Sequence, residues 1–178
     1  MDYALELFFD EQSEQRIRDD WRQVGNDYLL RVQSTPHVTL GIFSDIPPAQ
    51  ADATLQAAAK RIAPFPMQFA SVGAFVSPHM WLYLAPTVTQ HLLDLHARLH
   101  DVFAFCDSAK FPYYHVGNWV PHCAITPAEN AQQLARATEI LAQAHEPFTA
   151  QVTRMAWVEI TKPVKTMACY HLNEGEIT

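Results

Sequence analysis

The chain has 178 residues and a formal net charge of −7, and apolar residues make up 49% of it. This length suffices for one substantial core or for two small lobes that share one, and we expect a single domain over residues 1–178. The acidic balance excludes a protein that holds long nucleic acids by neutralising their phosphates, because that requires a basic surface. A small nucleotide or an RNA end, bound at a local site, is compatible with it.

The cysteines and the N-terminus indicate where the protein works. Cys106, Cys123 and Cys169 are an odd number without metal-type spacing, which predicts free thiols in a reducing cytosol. The N-terminus lacks a basic region followed by an apolar stretch, and no apolar run approaches the thickness of a bilayer. We therefore expect a cytoplasmic protein without a membrane partner. We also expect a monomer.

In the first half of the chain, short apolar runs alternate with segments whose apolar residues repeat at helical spacing. Such alternation is typical of strands joined by helices. Asp10 is suited to cap a helix, and Gly25 is suited to end it. In chain order, the predicted elements are a strand at 4–9, a helix from Asp10 to Gly25, a strand at 38–43, an Ala-rich helix from Pro47 to about Ala63, and strands at 67–75 and 81–85 separated by Ser77-Pro78.

The second half continues the same alternation. Thr87 with Gln90 has the pattern of a capping box, and Thr126-Pro127 followed by Glu129 has the pattern of a second helix start. The predicted elements are a helix from Thr87 to about Phe103, an aromatic-rich loop at 107–118, a strand at 120–125, a helix from Thr126 to about Ala144, and closing strands at 148–160 and 167–172.

One tetrapeptide occurs almost twice and defines an internal repeat. Pro36-His37-Val38-Thr39 is followed by Leu40, and Pro121-His122-Cys123-Ala124 is followed by Ile125. The two motifs thus lie at 36–40 and 121–125, and their histidines are 85 residues apart. Each is followed by an Ala-rich helix and then by a Pro-Phe pair. Such a repeat predicts two similar lobes related by a pseudo-two-fold axis. That axis would bring His37 and His122 to opposite sides of one cleft.

The two motifs resemble the H-x-(T/S) motifs of the 2H phosphoesterase superfamily, specifically its bacterial 2′-5′ RNA ligase or cyclic phosphodiesterase branch. The segments at 81–86 (WLYLAP) and 93–96 (LDLH) also look familial. The resemblance implies a bilobal α+β fold, with two antiparallel sheets flanking a central cleft and helices on the outside. It also implies that 2′,3′-cyclic phosphates are opened, or 2′-5′ phosphodiester bonds of RNA made and broken, without a metal or other cofactor.

By analogy with the family, His122 is the general base and His37 the general acid in the hydrolytic direction. Imidazole suits both roles because its unperturbed pKa lies near neutrality. Thr39 shares a strand face with His37 and would donate a hydrogen bond to a nonbridging phosphate oxygen.

The second motif departs from the family pattern, because Ala124 stands where the family has Thr or Ser. Losing one charge-assisted hydrogen bond would cost about 1.5–3 kcal/mol in the transition state, or about ten- to a hundredfold in rate. The alternative hypothesis is a binding protein that holds a nucleotide or RNA end without turning it over. Thr126 could substitute for the missing hydroxyl, although its sequence context favours a helix cap, and Arg154, Lys162 and Lys165 are further candidates.

Two other groups of residues allow a functional and a purely structural interpretation. Tyr113, Tyr114 and Trp119 precede the second motif and are candidates for base stacking, or equally for anchoring their loop. His96 and His100 have the i, i+4 spacing of a metal pair, and nine histidines would suit a metal-binding protein. The leucines around them favour a packed helix, and we predict no metal site.

Overall fold

The computed structural model describes residues 1–25, 27–76 and 79–173, so the predicted separator Ser77-Pro78 lies outside the described residues. The strands are β1 (Tyr3–Phe9), β2 (His37–Phe43), β3 (Phe65–Phe75), β4 (Met80–Pro86), β5 (Cys123–Ala128), β6 (Phe148–Glu159) and β7 (Lys165–His171). The helices are α1 (Glu11–Gln23), α2 (Tyr28–Arg31), α3 (Pro48–Ala59), α4 (Gln90–Val102) and α5 (Ala131–Ala144), with a 3₁₀ turn at Pro112–Tyr114.

All strand pairs are antiparallel, and the strands form one sheet in the order β2-β1-β6-β3-β4-β5, with β7 also paired to β6. The α+β class is confirmed, but the two separate sheets expected are one sheet of seven strands. The physical reason is the 12-residue length of β6. Its N-terminal part pairs with β3, and its C-terminal part pairs with β1 and β7, so it joins two sets of strands.

The two ends of the strand order meet in space. The indole Nε1 of Trp119 donates to the Thr39 carbonyl at 3.0 Å, and the backbone N–H of His37 donates toward the Cys123 sulphur. Strands β2 and β5, which begin at the two histidine motifs, therefore lie beside each other.

Both of these strands carry a β-bulge three residues after the histidine. In β2, Gly41 and Thr39 pair with Leu5 and Glu6, which leaves Leu40 as the extra residue. In β5, Ile125 occupies the corresponding place. A bulge inserts one residue and reverses the alternation of side chains beyond it. Thr126 is four residues after His122, so in a regular strand the two side chains would face the same side. The bulge at Ile125 turns Thr126 to the other side, which explains why Thr126 is buried.

Two of the four predicted helix starts are wrong, whereas the start of α3 at Pro47-Pro48 is confirmed. Asp10 is confirmed as the cap of α1, accepting from Ser13 N at 2.7 Å. Helix α4 is capped by Thr89 instead of Thr87. Helix α5 is capped by Asn130, because β5 continues through Pro127 to Ala128. Proline is tolerated there because β5 ends the order of paired strands.

One main core lies between the sheet and the helices. Its largest fully buried side chains include Trp21, Trp157, Phe9, Phe43 and Phe69. The three cysteines are free thiols, as predicted. Within the described part of the chain, no helix has the length and apolarity needed to cross a membrane.

Candidate active site

The two motif histidines are held in the same way. The Nδ1 atom of His37 lies 2.6 Å from the Thr35 carbonyl oxygen, and Nδ1 of His122 lies 2.7 Å from the Val120 carbonyl oxygen. Each acceptor is two residues before its histidine. Because a carbonyl oxygen can only accept, Nδ1 carries the proton in both rings. Nε2 is therefore the nitrogen that each ring can use for proton transfer.

The two imidazoles also influence each other electrostatically. Burial lowers the pKa of His37, partly opposed by the Thr35 carbonyl. Burial also lowers the pKa of His122, and the charge of a protonated His37 lowers it further. The structure thus brings the two predicted catalytic residues together at the meeting edges of the sheet. Both rings favour the neutral form, which suits a general base better than a general acid.

A buried carboxyl group, which sequence reasoning missed, lies beside His37. Oε1 of Glu6 is 3.4 Å from His37 Nε2, and the Glu6 side chain is only 8% exposed. Burial raises the pKa of Glu6 to about 8. Its signal in the sequence is a single acidic residue within the apolar run that forms β1.

Thr39 lies next to Glu6 and His37. It is the cross-strand partner of Glu6, and its hydroxyl shares a hydrogen bond with the hydroxyl of Tyr114. Burial and the neighbouring Glu6 raise the pKa of Tyr114 to about 12, while Thr39 opposes that shift. Thr39 is only 7% exposed. A phosphate oxygen would therefore have to displace the Tyr114 hydroxyl from the Thr39 hydroxyl, or bind beside it.

Aromatic rings surround His122. The ring centroid of Phe75 lies 4.9 Å from that of His122, and those of Tyr83 and Tyr114 lie at 5.4 and 6.5 Å. Sequence reasoning missed Phe75 and Tyr83, because only the register of β3 against β4 brings them to the second motif. The Tyr83 ring lies over Gly73, where a Cβ would come within 2.4 Å of it.

The second motif presents no equivalent of the Thr39 hydroxyl. Ala124 pairs with Tyr83 across the strands, and its carbonyl accepts from the indole Nε1 of Trp21 at 2.9 Å. Thr126 does not cap a helix, and its hydroxyl donates to the Pro127 carbonyl at 3.1 Å. Thr126 is therefore committed to the backbone of its own strand.

The three cations named as substitutes each contact a group elsewhere. Arg154 binds the Glu14 carboxylate, Lys165 lies 3.9 Å from the Glu159 carboxylate, and Lys162 lies over the Tyr28 ring at 5.5 Å.

The three aromatic residues before the second motif occupy different environments. Tyr113 is 71% exposed, whereas Trp119 is 9% exposed. The Trp119 ring stacks on His96 at a centroid distance of 4.0 Å, and its indole N–H contacts the Thr39 carbonyl. We therefore assign Trp119 to anchoring, and retain Tyr113 and Tyr114 as candidate base contacts.

The histidines of α4 connect the helix to the rest of the site. Nε2 of His96 donates to the Tyr114 carbonyl and Nε2 of His100 to the Leu40 carbonyl, both at 3.0 Å. Burial, followed by the neighbouring His100, lowers the pKa of His96 to about 4. Among the residues that the structure describes, no cluster of three or more His, Cys, Asp or Glu is arranged to hold a metal ion.

The antiparallel sheet with its paired histidine motifs defines an α+β protein of the two-histidine phosphoesterase class. The family model of the 2′-5′ RNA ligase superfamily matches residues 9–163, and the chain belongs to this superfamily. No curated protein matches the chain.

Solved structures share the fold over nearly the whole chain. The protein TT0787 of Thermus thermophilus is 16% identical to this chain, with a TM-score of 0.66. The match covers 99% of this chain and 100% of TT0787. E. coli LigT complexed with 3′-AMP is 14% identical, with a TM-score of 0.60 and coverages of 97% and 98%. Usb1 of Kluyveromyces marxianus is 11% identical, with a TM-score of 0.50 and coverages of 96% and 97%. At these identities the likeness establishes the fold.

Proposed function

We propose that the protein is a metal-independent phosphoesterase that uses His37 and His122 as its acid–base pair. It would open 2′,3′-cyclic phosphates or act on 2′-5′ phosphodiester bonds of nucleotides or RNA ends. The observation that supports this most is the matched setting of the two rings. Each is tied through Nδ1 to the carbonyl two residues earlier, which leaves Nε2 for proton transfer.

In hydrolysis, His122 removes a proton from water, and the water oxygen attacks phosphorus. The bond from phosphorus to the leaving sugar oxygen breaks, and His37 gives a proton to that oxygen. One water is consumed and one phosphomonoester is formed. Thr39 donates a hydrogen bond to a nonbridging oxygen, where charge gathers in the transition state. In bond formation the two histidines exchange roles.

A nucleotide or an RNA end is the substrate class we favour. Among the structures of similar fold, E. coli LigT has been crystallised with 3′-AMP, ATP and NADP⁺. In this chain, the exposed ring of Tyr113 and the half-buried ring of Tyr114 lie on the segment leading to His122 and offer surfaces for a base. The net charge of −7 favours an end-on or small substrate over a long nucleic acid.

We also propose that the sheet arose by duplication into two halves. Exchanging β2 with β5, β1 with β4 and β6 with β3 returns the same strand order. The bulges at Leu40 and Ile125 fall at equivalent places. These features support a pseudo-two-fold relation between His37 and His122.

The second candidate function is nucleotide binding with weak turnover. Ala124 is the observation that favours it, because the second motif lacks a hydroxyl for the phosphate. A cyclic nucleotide would then bind with ordinary affinity but be hydrolysed slowly.

The test is release of monophosphate from 2′,3′-cyclic AMP in excess chelator, by wild type and by His37→Ala and His122→Ala. His171→Ala is the matched control, since His171 is exposed on β7. The proposal requires chelator-resistant release that both site variants lose and the control keeps. Binding of the nucleotide without turnover by the wild type would favour the second candidate.

A further inference from the structure

We propose that Glu6 is a positioning residue that keeps one proton available to His37, and thereby makes His37 the acid and His122 the base of hydrolysis. This rests on the proposed function, and it supplies a physical reason for an assignment that the family resemblance alone leaves as an analogy.

The placement of Glu6 comes from the alternation of side chains along β1. Leu5, Leu7 and Phe9 belong to the main core, while Phe8 belongs to a small cluster on the opposite face. Glu6 is on that second face, in register with Thr39. A carboxyl group is therefore fixed by a paired strand beside the first histidine.

The contact between Glu6 and His37 is close without being a strong hydrogen bond. The Oε1–Nε2 distance is 3.4 Å, longer than the roughly 2.7–2.9 Å of a charge-assisted bond. Nε2 is thus held near a carboxyl group that can give it a proton, without being committed to that group. The same nitrogen can address the leaving oxygen of a substrate.

The equivalent place in the other half lacks a carboxyl group. Glu6 lies opposite Thr39, and Tyr83 lies opposite Ala124, each beside the bulge of its pair of strands. His122 therefore has an aromatic neighbour where His37 has an acidic one. A phenol with a pKa raised by burial cannot share a proton near neutral pH as a carboxyl group can.

Three titratable groups face Glu6: His37 on β2, Tyr114 on the 3₁₀ turn and Cys123 on β5. Tyr114 and Cys123 do not compete with His37 for the Glu6 proton. The pKa of Tyr114 is raised to about 12 and that of Cys123 to about 12, both mainly by burial. Both groups stay neutral over the range in which Glu6 and His37 titrate.

Glu6 and His37 therefore act as a pair that holds one proton near neutral pH. Burial raises the pKa of Glu6 and lowers that of His37. The negative charge of a bound phosphodiester favours the imidazolium, so the proton then resides on Nε2. After it passes to the leaving oxygen, a buried carboxylate remains beside a neutral ring. Because that state is unfavourable, the pair regains a proton from solvent, while His122 releases the one taken from water.

The kinetic test compares Glu6→Gln with wild type between about pH 5.5 and about pH 8 on 2′,3′-cyclic AMP. Without the carboxyl group, His37 loses its proton at its own lowered pKa, so the variant loses its acid first as pH rises. We expect the ratio of variant to wild-type kcat to fall about tenfold or more across this range, with KM little changed. Identical profiles, or a loss by the same factor at every pH, would overturn the proposal.

Two variants serve as controls. Glu159→Gln removes another poorly exposed carboxyl group of the same sheet, and it should leave the profile unchanged. Glu6→Asp retains the carboxyl chemistry and should restore much of the wild-type pH dependence. If Glu6→Asp behaves like Glu6→Gln, the carboxyl group is not the cause.

A second measurement does not depend on turnover. NMR titration of the His37 ring in the free protein should show two transitions in wild type and one in Glu6→Gln. The same titration curve in both proteins would contradict the proposal, even if Glu6→Gln were inactive. If wild type releases no monophosphate yet shows the two transitions, the proposed function fails while the proton pair stands.

Discussion

The half of the sheet around His37 and the half around His122 share their backbone and differ in their chemistry. In both, Nδ1 contacts the carbonyl two residues earlier, and a bulge follows three residues after the histidine. The first half adds the hydroxyl of Thr39 and the carboxyl group of Glu6, whereas the second has Ala124 and Tyr83. In the proposed mechanism, the shared part determines which nitrogen of each ring transfers the proton, and the differing part determines which histidine is the acid and which is the base.

The largest effect is expected from removing either imidazole. His37→Ala or His122→Ala should lower kcat on a 2′,3′-cyclic nucleotide by about 10²–10⁴-fold, because each removes one side of the proton transfer. Steady-state release of monophosphate measures this. A variant that stays within about tenfold of wild type would remove that histidine from the mechanism.

The next effect tests the first half alone. Thr39→Val keeps the shape of the side chain but removes the hydroxyl, and should lower kcat by about ten- to a hundredfold. Thr39→Ser is the control, since it keeps the hydroxyl and should stay close to wild type. Equal rates for Thr39→Val and wild type would show that Thr39 only packs in its strand.

A smaller effect, of opposite sign, is expected in the second half. Ala124→Thr restores the family hydroxyl and should raise kcat by up to about tenfold if that group contacts phosphate. Ala124→Val is the matched variant without a hydroxyl. A gain shared by both variants would be due to packing, and the comparison between the halves would lose its chemical basis.

Where the halves are alike, we expect the smallest effect on activity and a measurable effect on stability. The carbonyl of Thr39 accepts from Trp119, and that of Ala124 accepts from Trp21. Trp119→Phe and Trp21→Phe each leave such a carbonyl without its indole donor, and should each lower the free energy of unfolding by about 1–3 kcal/mol in urea denaturation. Destabilisation by only one of them would show that the two contacts are not equivalent.

The sequence predicted the strands and most of the helices because apolar spacing and proline positions are local signals. It failed where a distant pairing decides the outcome. The length of β6 joins the expected two sheets into one, and pairing with β4 extends β5 through Pro127, which resembled a helix start.

The residues of the candidate site that lie within the two histidine motifs could be predicted from the sequence. His37 and His122 are visible as a repeat, and Thr39 lies two residues after the first of them; the structure brings these three residues together. Glu6 was concealed in an apolar run, although an acidic residue in a buried strand is a signal in itself. Phe75 and Tyr83 carry no local signal, because only the register of β3 against β4 and β5 places them beside His122.

The most direct test of the central claim is a double-mutant cycle on His37 and His122. The assay is hydrolysis of 2′,3′-cyclic AMP in excess chelator by wild type, the two single alanine variants and the double variant. Because the two residues serve one reaction, the double variant should be about as slow as the slower single variant. Losses that multiply, or activity that survives in either single variant, would show that the two histidines do not act on the same phosphate.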